Sequence, residues 1–146
     1  MGLSMFHLKS RLTELERSRR INTSNLADAA FHERNAPPSQ RYIYRHRREE
    51  LAQGLALLQS EIESRRLELQ RLETEVGGRW LAIESLTRAL RPGGAFDCAI
   101  VVARERHLAH PEFACLKSDY EAALRDKENA VALVERLRAE VEALEG

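Results

Sequence analysis

A stripe spaced alternately four and three residues from position 51 to position 90, apolar at all but two places, constrains this chain more than any other feature. Leu51, Leu55, Leu58, Ile62, Arg65, Leu69, Leu72, Val76, Arg79, Ile83, Leu86 and Leu90 follow a 4-3-4-3 spacing in which only the two arginines are polar. Phe113, Leu116, Tyr120, Ala123, Lys127, Ala130, Val134, Leu137, Val141 and Leu144 repeat it, with Lys127 the one exception. A seven-residue apolar repeat of this length marks helices packed along a seam. Between the stripes stands Arg91-Pro92-Gly93-Gly94-Ala95. Proline lacks the amide hydrogen that a helix interior needs, and glycine loses the most backbone entropy on ordering, so this pentad ends one helix. The stretches on either side, 41–90 and 96–144, are nearly equal in length. The spacing therefore predicts an all-α fold, an elongated antiparallel coiled-coil hairpin over 39–146 that reverses at 91–95.

Composition agrees with a shape of that kind. Aromatic residues make up 5% of the chain and charged residues 32%, which suits paired helices better than a globule with a thick apolar core. The zero net charge hides an asymmetry: residues 1–48 carry ten Lys/Arg against four Asp/Glu, and residues 49–146 carry thirteen against nineteen. A basic N-terminal part followed by an acidic remainder makes a long dipole. No apolar run approaches the ~20 residues that a bilayer demands, so no membrane association is expected. Cys98 and Cys115 are too few for a disulfide framework, which favours a reducing, cytoplasmic setting.

Ahead of the hairpin, residues 1–38 read as a basic helical arm. Met5, Leu8, Leu12 and Leu15 give a first short helix, Asn22-Thr23-Ser24-Asn25 supplies caps, and a second short helix over 26–33 ends at Pro37-Pro38. Within the hairpin, Gly54 and the pair Gly77-Gly78 weaken the first long helix. Counting equal distances from a turn at Gly93-Gly94 sets Pro111 opposite Val76 and Gly77. That predicts a joint near 76–78 and 111, with Trp80 beside it.

Few residues suggest chemistry. His107 and His110 share a helical face and are flanked by Cys98 and Cys115, but the spacing matches no familiar zinc pattern, and neither a metal nor a cofactor is expected. Cys115 with His110 lacks an orienting third group and a pocket, so the chain does not read as an enzyme. Arg41, Arg45, Arg47 and Arg48, interleaved with Tyr42 and Tyr44, form a basic patch able to grip phosphates. An acidic protein surface is the favoured partner there over nucleic acid. Trp80, His107, His110, Pro111, Phe113 and Cys115 make a mixed polar and aromatic set that suits contact with a protein partner. Uncovered aromatic residues also invite self-association. Arg65, Arg79 and Lys127 on seam positions either fix the register or reach out from its edge.

His110-Pro111-Glu112-Phe113-Ala114-Cys115-Leu116-Lys117, preceded by the aliphatic 99–104 and followed by Ala122-Ala123-Leu124, resembles the tektin signature Arg-Pro-Asn-Val-Glu-Leu-Cys-Arg-Asp. Pro111, the neighbouring thiol and the basic Lys117 agree in kind. His110 stands in place of Arg, Glu112 in place of Asn, and Cys115-Leu116 reverses the Leu-Cys order. The likeness covers roughly residue 85 onward. It implies a filamentous protein of ciliary and flagellar axonemes, lying on the inner wall of doublet microtubules with tubulin or other coiled-coil proteins as neighbours. Length and shape alone also suit a hairpin stalk or chaperone of a bacterial type III export apparatus, or an accessory coiled-coil subunit of another large complex.

Overall fold

The computed structural model describes residues 3–146. Four helices follow one another: α1 Met5–Asn35, α2 Arg41–Ala89, α3 Ala95–Ala109 and α4 Ala114–Glu145, with no strand among the described residues. The all-α class expected from the spacing is therefore present. The chain falls into two compact units, one running through Glu73 and including Gly146, the other Thr74–Glu145. The expected boundary near 38 is not where the units divide. α2 supplies residues to both.

In the first unit α1 folds back along α2. Leu12 and Leu15 cluster with Ile62, and Leu58 and Leu69 pack against them. Arg11 reaches Glu61 at 3.1 Å, Arg66 reaches Glu16 at 2.6 Å, and at the other end Arg45 and Arg48 both hold Glu33. Rising positions on α1 thus meet falling positions on α2. Two short helices in a basic arm were expected here, and a single helix of 31 residues is found. The reason is local: Thr23 turns its hydroxyl back to the Arg19 carbonyl at 2.7 Å, four residues earlier, instead of capping a new helix. The stripe of Met5, Leu8, Leu12 and Leu15 also runs on in the same 3-4 rhythm through Arg19, Asn22, Leu26, Ala29 and Glu33 to Ala36, all at least half-covered. Ser4 starts the helix by accepting the His7 amide hydrogen, and Pro37-Pro38 ends it.

In the second unit the order of contacts along α4 fixes the topology. Tyr120 stacks on His107 of α3, and Lys127 pairs with Asp97 at the start of α3 at 2.8 Å. Val131 and Val134 line a cleft with Thr87 of α2 and Leu90 just past its end, and Glu140 meets Arg79 at 2.9 Å. A walk up α4 therefore passes first the whole of α3, from its end to its start, and then α2 from its end backwards. α2 and α3 both run antiparallel to α4, one after the other, and the chain reverses at 110–113. The two-helix hairpin with its turn at 91–95 is corrected on this point.

Turn chemistry explains the difference. At 91–95 the break is immediately repaired: Gly93 takes a positive φ of 75°, the Gly94 amide donates to the Arg91 carbonyl at 2.8 Å, and the Cys98 amide already donates to the Gly94 carbonyl at 2.9 Å. Pro111, by contrast, sits in the reversal itself, after α3 has ended at Ala109. The expected joint dissolves as well. Gly77 and Gly78 lie inside continuous α2, near the level where Arg79 meets Glu140, roughly 39 Å along α4 from the Pro111 turn at ~1.5 Å per residue. In a chain whose native cysteines are replaced by serine, cysteines at Leu86 and Val134 should form an intrachain disulfide under mild oxidation. Cysteines at Leu86 and Ala99, which a reversal at 91–95 would bring together, should not.

Candidate interaction surfaces

The α3–α4 reversal gathers most of the residues singled out at the sequence level. α3 stops because Pro111 cannot donate an amide hydrogen; His110 (φ −135°, ψ 66°) leaves the helical region, and its own amide still reaches the Arg106 carbonyl at 3.1 Å. The Phe113 amide then donates to the His110 carbonyl, and the Leu116 amide to that of Phe113, each at 3.2 Å. The rings of His110 and Phe113 stand 5.9 Å apart, and Phe113 remains 52% exposed. Cys115 is a free, exposed thiol on the first turn of α4. His107 lies one turn back, its ring stacked on Tyr120 and its Nδ1 buried without a hydrogen-bond partner. Trp80 does not belong to this group. It lies on α2 beside Ile83, Thr87 and Arg88, close to the far end of α4.

Cys98, His107, His110 and Cys115 do not converge. Cys98 stands on the first turn of α3, donating its thiol to the Gly93 carbonyl at 3.4 Å, three turns from His110. Among the described residues no three His, Cys, Asp or Glu side chains are grouped so as to hold a metal ion.

The basic patch is largely engaged within the chain. Arg41 donates to the Ala36 carbonyl at 3.1 Å and so closes the last turn of α1, while Arg45 and Arg48 converge on Glu33. The Arg48 guanidinium first, and Arg45 after it, hold the Glu33 carboxyl below the usual carboxylate range. Arg47 faces a separate shallow hollow with Asn25, Asp28, His32 and Tyr44, where the His32 and Tyr44 rings stack at 5.7 Å. Of the four arginines, three therefore serve the α1–α2 turn.

The three seam cations are half-buried, and each pairs with a carboxylate. Arg79 bonds Glu140 across the helices, Arg65 bonds Glu68 on its own helix at 3.1 Å, and Lys127 bonds Asp97. Asp97 is the residue sequence reading passed over. Its carboxylate accepts the Gly93 amide hydrogen at 3.1 Å and the Lys127 ammonium at 2.8 Å, so it caps α3 and ties it to α4 at once. Lys127 chiefly, and the Gly93 amide after it, hold that carboxyl below its ordinary range. The available signal was its place three residues after Gly94, where an acidic side chain reaches back to the start of a helix.

One flank of the α3–α4 pair carries a shallow apolar groove lined by Cys98, Ala99, Val102, Ala103 and Leu116, with Arg106 and Asp119 on its rims. No residue of α3 is fully buried. On the opposite flank Val101, Leu108 and Leu124 are also exposed. Among the described residues no helix is long and apolar enough to cross a membrane. Comparison with protein-family models, with curated proteins and with solved structures finds no match.

Proposed function

We propose that this chain is a structural, non-catalytic component of a larger assembly, a tektin-like protein of the ciliary or flagellar axoneme that docks against tubulin or coiled-coil neighbours. The observation that carries the reading is how little of its apolar surface the chain covers for itself. The seams cover at most one stripe per helix, and Phe6, Ile21, Phe31, Trp80, Val102 and Phe113 remain outside. Exposed apolar side chains spread along paired helices favour lateral contacts with other helices over a single ligand pocket. The residues that carry the tektin likeness, Pro111 and its neighbours, form an exposed reversal with an aromatic ring and a thiol on its surface, as a docking point would require.

A tagged chain expressed in ciliated cells should remain with the detergent-extracted axoneme. Changing the exposed His110 to Ala and Phe113 to Ser should leave helix content unchanged, as read by circular dichroism, and move the protein into the detergent-soluble fraction. Wild-type protein found wholly in the soluble fraction would favour the export-chaperone alternative, and normal incorporation of the double variant would remove the reversal from the interface.

A further inference from the structure

We infer that the groove on the α3–α4 flank is the contact of a two-fold dimer, in which a second copy completes an antiparallel four-helix bundle. The register of the pair carries the argument. His107 stacks on Tyr120 and Asp97 pairs with Lys127, so residues whose numbers sum to about 225 stand at one height. Arg106 on α3 and Asp119 on α4 satisfy that relation, and they flank the groove as its two opposite charges. Both are exposed, and neither side chain has an ion-pair partner among the described residues.

A two-fold axis lying in the groove parallel to the helices keeps every residue at its own height and exchanges left for right. It sets α3 over the second copy's α4, and α4 over the second copy's α3. Arg106 of each copy then faces Asp119 of the other, twice by symmetry, while Ala99 and Val102 close over the seam between. All four neighbouring helix pairs run antiparallel, the favoured arrangement of an up-and-down bundle. Burial of α3 on this flank, which its own chain does not provide, comes from the partner. The contact is modest: α3 spans about 22 Å, and two helices ~10 Å apart give a footprint near the lower limit for a specific dimer. Association should therefore depend on concentration within the micromolar range.

The dimer rests on this geometry and not on which assembly the chain serves, so its failure would leave the axonemal reading to its own test. Sedimentation equilibrium of the full chain should show a reversible monomer–dimer equilibrium. Arg106→Asp and Asp119→Arg should each weaken it by roughly tenfold or more, because like charges then face each other across the axis. An equimolar mixture of the two single variants should dimerise about as well as wild type. In the mixed dimer one of the two contacts keeps its native charges and the other has them exchanged, so an acidic side chain faces a basic one at both. Recovery in the mixture can come only from pairing between chains. Circular dichroism of each variant should match wild type, both sites being exposed. A wild-type chain that stays monomeric, a dimer indifferent to either single change, or a mixture that fails to recover would each overturn the inference.

Discussion

Ile62→Ala is expected to destabilise the first unit by about 2–5 kcal/mol, the usual range for truncating a buried aliphatic side chain. Ile62 is 1% exposed at the centre of the cluster formed with Leu12 and Leu15, and Leu58 and Leu69 lean on it. A unit of about 70 residues holds only roughly 4–10 kcal/mol in total, so one such change removes much of its margin. The surface ion pairs Arg11–Glu61 and Arg66–Glu16 cannot make up the loss, since exposed pairs contribute about 1 kcal/mol or less. Freed from its seam, α1 would be a lone helix and marginal in water. Urea denaturation followed by far-ultraviolet circular dichroism should therefore show an early loss of helix in Ile62→Ala. Leu57→Ala is the control: Leu57 lies on the same helix but is 74% exposed, and its removal should change stability by no more than about 0.5 kcal/mol. Equal effects at the two positions would mean that the seam does not hold the unit together.

That contrast between Ile62 and Leu57 was legible from spacing alone, as was the whole stripe from Leu51 to Leu90, every member of which is at least partly covered. A heptad pattern reports which face of a helix is buried, and little in the tertiary structure can overrule it. Spacing was also sufficient in α1, but only if Arg19, Asn22 and Glu33 are admitted as seam positions. Requiring apolar side chains there broke one helix into two. The reversal could not be read in the same way. Pro92-Gly93-Gly94 and Pro111 both announce that a helix ends, yet whether the next helix turns back or continues depends on a few dihedral angles, such as the positive φ of Gly93, and on which neighbour covers the new helix. The near equality of 41–90 and 96–144 suggested a partner for α2 that α4 supplies only over its second half. The candidate contact residues followed from that error: His107, His110, Pro111, Phe113 and Cys115 do lie together because they are close in sequence, whereas Trp80 was placed with them only by the misplaced turn.

The glycines provide the sharpest test of where the chain bends, because the pair Gly77-Gly78 and the single Gly94 should respond to alanine with opposite signs. Gly77 and Gly78 sit inside α2, and a methyl group added at either would meet nothing within 4 Å beyond its chain neighbours and the helix's own adjacent backbone. Alanine there costs nothing in contacts and restricts the unfolded chain, so Gly77→Ala with Gly78→Ala should raise stability by about 1–2 kcal/mol. Gly94 is different. A β-carbon there would stand 2.6 Å from the Ala89 carbonyl oxygen and 2.8 Å from that of Arg91, both fixed backbone atoms. Gly94→Ala must open the turn that joins α2 to α3, at a cost of the order of 1–3 kcal/mol, as for other overpacked sites. The consequence reaches beyond the turn, because Asp97 holds α3 to Lys127 from a position set by the Gly93 amide. Thermal unfolding of the two variants beside wild type should move the midpoint up for the first and down for the second. A fall in the midpoint of the Gly77/Gly78 double variant would show that α2 needs flexibility there after all and would restore a joint at that level.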